Sequence, residues 1–151
     1  MKTLTSHMNE ALKIGKNLSK FSTYSCRPAN RDELKEIIIK RIDEEGPNCD
    51  LNDIDTSFIE DMSHLFDGSD FNGDISEWEV SNVMDMSHMF WNSKFNQPIG
   101  DWNVSNVENM YSMFGNSKFN QDISNWEIMK GCDTKDMFYH CPIKDEYKPE
   151  L

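Results

Sequence analysis

Histidine, cysteine, carboxylate and thioether side chains are the groups in this chain that could do chemistry, and their spacing limits what that chemistry would be. His64 and His88 stand 24 residues apart and Ser112 occupies the next place in the series, which would allow a two-histidine metal site. The plainer reading, polar residues on an exposed surface, fits better, and His7 and His140 belong to no cluster. Residues 67–74, Asp-Gly-Ser-Asp-Phe-Asn-Gly-Asp, are dense in oxygen ligands for calcium. They lack the full spacing of a calcium loop and its distal glutamate, and Lys94 and Lys118 replace Asp70 in the later copies. Cys26, Cys49, Cys132 and Cys141 form no C-x-x-C pair, so they are expected to be reduced thiols and not zinc ligands. Met62, Met86 and Met110, with Met89, Met113 and Met137, suggest a soft-metal ladder but suit an apolar core better. There is no G-x-S-x-G elbow, no phosphate-binding glycine loop and no distinctive carboxylate pair. The expectation is a chain with no catalytic residues, no metal and no cofactor.

Charge narrows the partners. The chain has 151 residues and a formal charge of -12. Residues 1–48 carry 9 basic and 7 acidic side chains, residues 49–144 carry 5 and 17, and residues 145–151 carry 1 and 3. An acidic body repels phosphate backbones and anionic lipid, so nucleic acid and membrane surfaces are disfavoured and a protein partner, a basic one suiting the charge, is favoured. The longest aliphatic run, Ile37-Ile38-Ile39, is far short of a membrane span, and no secretory signal pattern is seen at the amino terminus.

The organisation that must position these groups is a repeat. Phe71, Phe95 and Phe119 recur every 24 residues, as do Trp78, Trp102 and Trp126. Leu51, Ile75, Ile99 and Ile123 follow the same step, and so do Phe66, Phe90, Phe114 and Phe138. Trp78-Glu79-Val80 alternates apolar with polar, which predicts a short strand; Val83, Met86, Met89 and Phe90 recur at three and four, which predicts one or two helical turns. The fold class expected is therefore an α/β repeat solenoid, a short strand plus a short helix per 24-residue coil, with a helical cap at its amino-terminal end. Such units bury too little surface alone and must stack. The asparagines at the coil junctions, Asn72, Asn96 and Asn120, are expected to satisfy backbone groups in turns.

Four segments follow. Residues 1–28 form an amino-terminal segment with a stripe of Leu4, Met8, Ala11, Gly15 and Leu18 at helical spacing. Residues 29–48 form a capping helix, in which Asn30 is the N-cap, Glu33 the capping-box residue, Leu34, Ile37, Ile38 and Ile42 the apolar face, and Gly46-Pro47 the stop. Residues 49–144 are four coils, the first and last degenerate, and residues 145–151 are a tail.

The stretch FNGDISEWEVSNVMDMSHMFWNSKFNQPIGDWNVSNVENMYSMFGNSKFNQDISNW resembles the BspA-like, Mycoplasma-lipoprotein type of leucine-rich-repeat-related sequence. The resemblance covers about residues 49–144. It implies a leucine-rich-repeat-like solenoid, a broad role in surface or protein–protein interaction, and no catalytic residues. In the absence of an export signal, a cytoplasmic or phage-associated location is expected. The candidate binding surface is the outward side of the expected strands, an acidic ribbon of Asp53 and Asp55, Glu77 and Glu79, Asp101 and Asn103, Asn125 and Glu127. The leading expectation is a non-enzymatic interaction module presenting that ribbon; the alternative is an accessory component of a larger assembly docked through its amino-terminal helix.

Overall fold

The computed structural model describes residues 24–151. His7 and the stripe from Leu4 to Leu18 lie outside the described residues. The described chain begins with a short segment, residues 24–28, that runs beside the first coil: Ser25 N donates to Asp53 O at 2.8 Å and Asp55 N to Cys26 O at 2.9 Å. Helix α1 (Arg31–Glu45) follows. The Asn30 side chain accepts the Glu33 amide, and the Glu33 carboxylate reaches back to the amide of Ala29, one residue before the N-cap. Gly46, at φ 92°, ends the helix while its N–H still bonds Ile42 O. Leu34 and Ile38 are fully buried against coil one, and Ile37 and Ile42 pack partly against it.

The α/β repeat solenoid expected from the periodicities is overturned. Among the described residues there is no sheet, α1 is the one α-helix and lies outside the repeats, and a single 3-10 turn occupies Asp145–Tyr147. Strand pairing is reduced to four isolated parallel bridges, three of which join Asp61, Asp85, Asn109 and Asp133 in series. The 24-residue units do stack, but as coils made of turns.

Both mistaken elements have a local cause. The tripeptide around each tryptophan is flanked by two three-residue turns: Trp78 N bonds Ile75 O at 3.1 Å and Val83 N bonds Val80 O at 3.0 Å, leaving no room for an extended strand. In the expected helix the amides alternate in their choice of partner. Those of Met89, Trp91 and Ser93 fold back three residues to Met86, His88 and Phe90, while those of Met86, His88, Phe90 and Asn92 cross to the carbonyls of Asn109, Tyr111, Met113 and Gly115 in the next coil. A helix would have sent every amide back four residues. The chain instead turns through left-handed φ at every fourth residue, at His64, His88, Ser112 and Asp136 in one column, and at Gly68, Asn92, Asn116 and His140 in the other. Successive four-residue turns place apolar side chains at spacings of three and four, just as a helix does.

Like residues stack on like through the core. Phe66, Phe90, Phe114 and Phe138 lie ring over ring with centroids 5.5, 5.5 and 5.9 Å apart, beside a second row of Phe71, Phe95 and Phe119 at 6.1 and 6.2 Å. The indole N–H groups of Trp78, Trp102 and Trp126 donate to Leu51 O, Ile75 O and Ile99 O of the preceding coil, which satisfies the single polar atom of each buried ring. Asn72 Oδ1 accepts the amide of Asn96, Asn96 Oδ1 that of Asn120, and Asn120 Oδ1 that of Lys144, so the junction asparagines bind backbone as the turn reading expects.

The end at coil one is closed by cations from α1. At inner junctions the carbonyls of Ser87 and Met89 receive amides from the coil before. Their counterparts in coil one have no preceding coil. Arg31 Nε donates to Ser63 O, and Lys35 Nζ donates to His64 O at 2.9 Å and Leu65 O at 2.6 Å. Partial burial lowers the Lys35 pKa, and the nearby Arg31 charge lowers it further. No helix among the described residues is long and apolar enough to cross a membrane.

Candidate functional site

The eight ribbon residues stand in two columns that rise through the stack, Asp53, Glu77, Asp101 and Asn125 in one and Asp55, Glu79, Asn103 and Glu127 in the other. They sit on turns, because the strands expected to carry them do not form. The first three coils close these turns with side-chain oxygens: Ser57 N bonds Asp55 Oδ1 at 3.0 Å, Ser81 N bonds Glu79 Oε1 at 2.9 Å and Ser105 N bonds Asn103 Oδ1 at 3.2 Å. A little earlier in the coil, Asn52, Ser76 and Ser124 donate in the same way to Asp50, Asp74 and Asp122. Part of the acidity therefore serves the fold. Bonds from the two serines hold the carboxyls of Asp74 and Asp122 below the usual range, Asp74 chiefly through the Ser76 amide and Asp122 chiefly through the Ser124 hydroxyl.

The first coil's pair is tied down by cations. Arg41 Nη1 reaches both oxygens of Asp53, at 3.0 and 2.9 Å, and Arg41 also bonds Asp50 O and pairs with Glu45. The hydrogen bond to Asp53 is the main reason the Arg41 guanidinium is held charged beyond its ordinary range. Asp55 is 2% exposed and pairs with Arg27. Burial alone would raise the carboxyl pKa of both aspartates, but bonds from Ser25 and Arg41 to Asp53, and from Ser57 and Arg27 to Asp55, outweigh it, and both end below the usual range.

A pH dependence follows. An unfolded aspartate titrates at about 3.9, and a group depressed in the folded state contributes stability above that value which is lost as pH falls through its folded pKa. The urea midpoint is expected to be level from about pH 7 to 5 and to drop below about pH 4. In Asp55→Asn the drop should be smaller. A wild-type midpoint unchanged between about pH 5 and 3 would remove this account.

The other six ribbon positions, Glu77, Glu79, Asp101, Asn103, Asn125 and Glu127, are all exposed. Asp101 and Asp122 border one shallow depression with Ser76 and Gln121, and Asn103, Asn125 and Glu127 border another beside Trp102.

The histidine and calcium readings resolve differently. His64 and His88 stack in parallel, with centroids 4.7 Å apart and planes 7° from parallel, while His64 Nδ1 lies 2.8 Å from Asp67 Oδ2. His140 stacks on Tyr139. The carboxylates of residues 67–74 diverge: Asp67 turns to His64, Asp70 to Lys94 in the next coil, and Asp74 to the Ser76 amide. Among the described residues no three His, Cys, Asp or Glu side chains gather to hold a metal ion. All four cysteines are free thiols; Cys49 is buried at the α1 end, and Cys132 and Cys141 are partly buried in the last coil. Burial pushes the thiols of Cys49, Cys132 and Cys141 upward, which makes them poor nucleophiles.

Sequence reasoning missed the cations that cap coil one and the left-handed columns. The second of these left a trace, since glycine and asparagine hold one position in three successive copies, Gly68, Asn92 and Asn116.

No curated protein and no solved structure was found to match the chain. Residues 38–148, however, match the family described as Mycoplasma protein of unknown function, DUF285. With that match spanning most of its length, the chain belongs to that family.

Proposed function

We propose that the stacked coils form a non-enzymatic protein-interaction module and that Glu77, Glu79, Asp101 and Glu127 receive a basic partner. One observation carries this reading: these four carboxylates are exposed on three successive coils, and none of them is in an ion pair among the described residues. Asp53 and Asp55, by contrast, are neutralised by Arg41 and Arg27. Like charges one coil apart lie well within the screening length of physiological salt, so they reinforce one another's field. A basic surface with matching spacing would relieve that repulsion on binding. The likeness of the repeat motif to BspA-like sequences supports a role in protein–protein contact.

The test is a combined Glu77→Gln, Glu79→Gln, Asp101→Asn and Glu127→Gln variant, in which the carboxamide that replaces the Glu79 carboxylate keeps an oxygen for the Ser81 N–H. Partners captured from host lysate by the wild-type chain at low salt should be identified and their affinity measured against the variant. At about 0.2–1 kcal/mol for each of four exposed pairs, the variant should bind roughly fourfold to a thousandfold more weakly, and the salt dependence should shrink. Equal affinity and equal salt dependence would remove the acidic face from the interaction.

A further inference from the structure

The two ends of the stack are finished differently. At the last inner junction Met110, Ser112, Phe114 and Asn116 send their amides to the carbonyls of Asp133, Lys135, Met137 and Tyr139, at 2.7, 3.0, 2.9 and 2.7 Å. The same four places in coil four are held by Thr134, Asp136, Phe138 and His140. Among the described residues their N–H groups meet no acceptor. The chain after coil four goes elsewhere. Lys144 N bonds Asn120 Oδ1 and Ile123 N bonds Tyr147 O at 3.0 Å, so the tail covers the Phe119 and Ile123 side; it places Lys148 Nζ 5.8 Å from the centroid of the Phe138 ring but gives the edge amides no acceptor.

The last coil also exposes apolar surface. Met129 is 39% and Tyr139 48% exposed, and Ile128 and Phe138 are only partly buried. Unpaired donors in a row beside apolar side chains are a template for adding polypeptide. The inner junctions show what fits: a segment with free carbonyls at alternate residues, methionine over methionine and phenylalanine over phenylalanine. A second copy of the chain fits poorly. Stacked in the same direction it presents coil-one carbonyls already taken by Arg31 and Lys35, and turned around it sets N–H against N–H.

We propose that the edge of Thr134, Asp136, Phe138 and His140 binds a polypeptide segment of a partner protein, which takes the conformation of a further coil and lays an aromatic ring over Phe138 in place of the Lys148 side chain. This surface is the end of the stack and is independent of the acidic face.

The test uses the full chain and a synthetic peptide of residues 84–95, whose carbonyls at Asp85, Ser87, Met89 and Trp91 accept amides from the preceding coil in the intact stack. Amide hydrogen exchange is read by NMR. In the dilute chain the amides of residues 134, 136, 138 and 140 should exchange freely while those of 110, 112, 114 and 116 are slow, and saturating peptide should slow the first set about tenfold or more. A Met129→Lys and Tyr139→Lys double variant changes only exposed side chains, should keep the inner amides slow, and should bind the peptide about tenfold more weakly. Four results would overturn the proposal. The edge amides are already slow in the dilute chain, because its own residues cover them. Their protection rises with chain concentration alone, which makes a second copy the occupant. The peptide binds without protecting them. No binding is detected at about 1 mM peptide.

Discussion

Replacing Phe90 by alanine is expected to reduce the free energy of unfolding by about 3–5 kcal/mol, a large share of what a domain of this size has. Its ring is fully buried, 5.5 Å from both Phe66 and Phe114 in its own row and 4.3 Å from Phe95 in the neighbouring one. Deleting it removes contacts on three sides and opens a void that cannot collapse, since the coils above and below are held apart by backbone bonds through Phe66, Phe90 and their neighbours. Phe138→Ala is the internal comparison. That ring is only partly buried and has one neighbour in its row, Phe114, so its loss should cost less than half as much. Urea unfolding of both variants, followed by tryptophan fluorescence, checks this. A Phe90→Ala loss below about 1.5 kcal/mol would mean that the ladder contributes little to cohesion between coils.

Gly73→Ala is expected to be at least as damaging, through a clash where Phe90→Ala acts through a void. An added Cβ would lie 1.9 Å from the carbonyl oxygen of Cys49 and 2.7 Å from the Phe71 ring. The Cys49 oxygen belongs to backbone at the α1 end of the stack, beside the Asn72 N to Pro47 O bond, so relief requires the first two coils to move apart there. Ordinary overpacking costs about 1–3 kcal/mol; obstruction by backbone should bring the loss to roughly 3 kcal/mol or more. Gly115→Ala separates this cause from a general intolerance of alanine. There the added Cβ meets the Trp91 ring, 2.2 Å away, and Trp91 is only partly buried and can swing outward, so the loss should be smaller. If Gly73→Ala raised the midpoint, as alanine does at permissive glycine sites by about 0.4–1 kcal/mol, the close approach to Cys49 would be wrong.

What could be read from the residues was the period and the ends of α1; what could not was the path of the backbone within a coil. Columns such as Phe66 to Phe138 declare stacking because a ladder needs equal side chains at equal places. The N-cap at Asn30 and the stop at Gly46 are local chemistry and need no tertiary information. The spacing of Val83, Met86, Met89 and Phe90 was misleading because it reports which side chains face inward and says nothing of how the backbone carries them there. The discriminating signal was polar: glycine and asparagine in the Gly68, Asn92, Asn116 column mark left-handed turns that a helix does not contain. Part of the acidic ribbon also serves the backbone, which the charge count did not reveal. Asp55, Glu79 and Asn103 precede serine by two residues in the first three copies, the pattern of a side chain closing its own turn. Charge counted along a chain does not distinguish carboxylates that bind the local backbone from those left for a partner.

The junction bonds of the Met86 to Asn92 edge also give the molecule an electrical direction. In every coil these four peptide units point the same way, N–H toward the following coil and C=O toward the preceding one. Peptide dipoles aligned head to tail add, as they do in a helix. Along this edge the negative pole lies at coil one, where Arg31 and Lys35 are seated, and the positive pole at coil four, beyond His140. The two cations thus neutralise a pole as well as filling empty acceptors, and the opposite pole is a place where carboxylate or carbonyl oxygen is drawn in before any side chain makes contact.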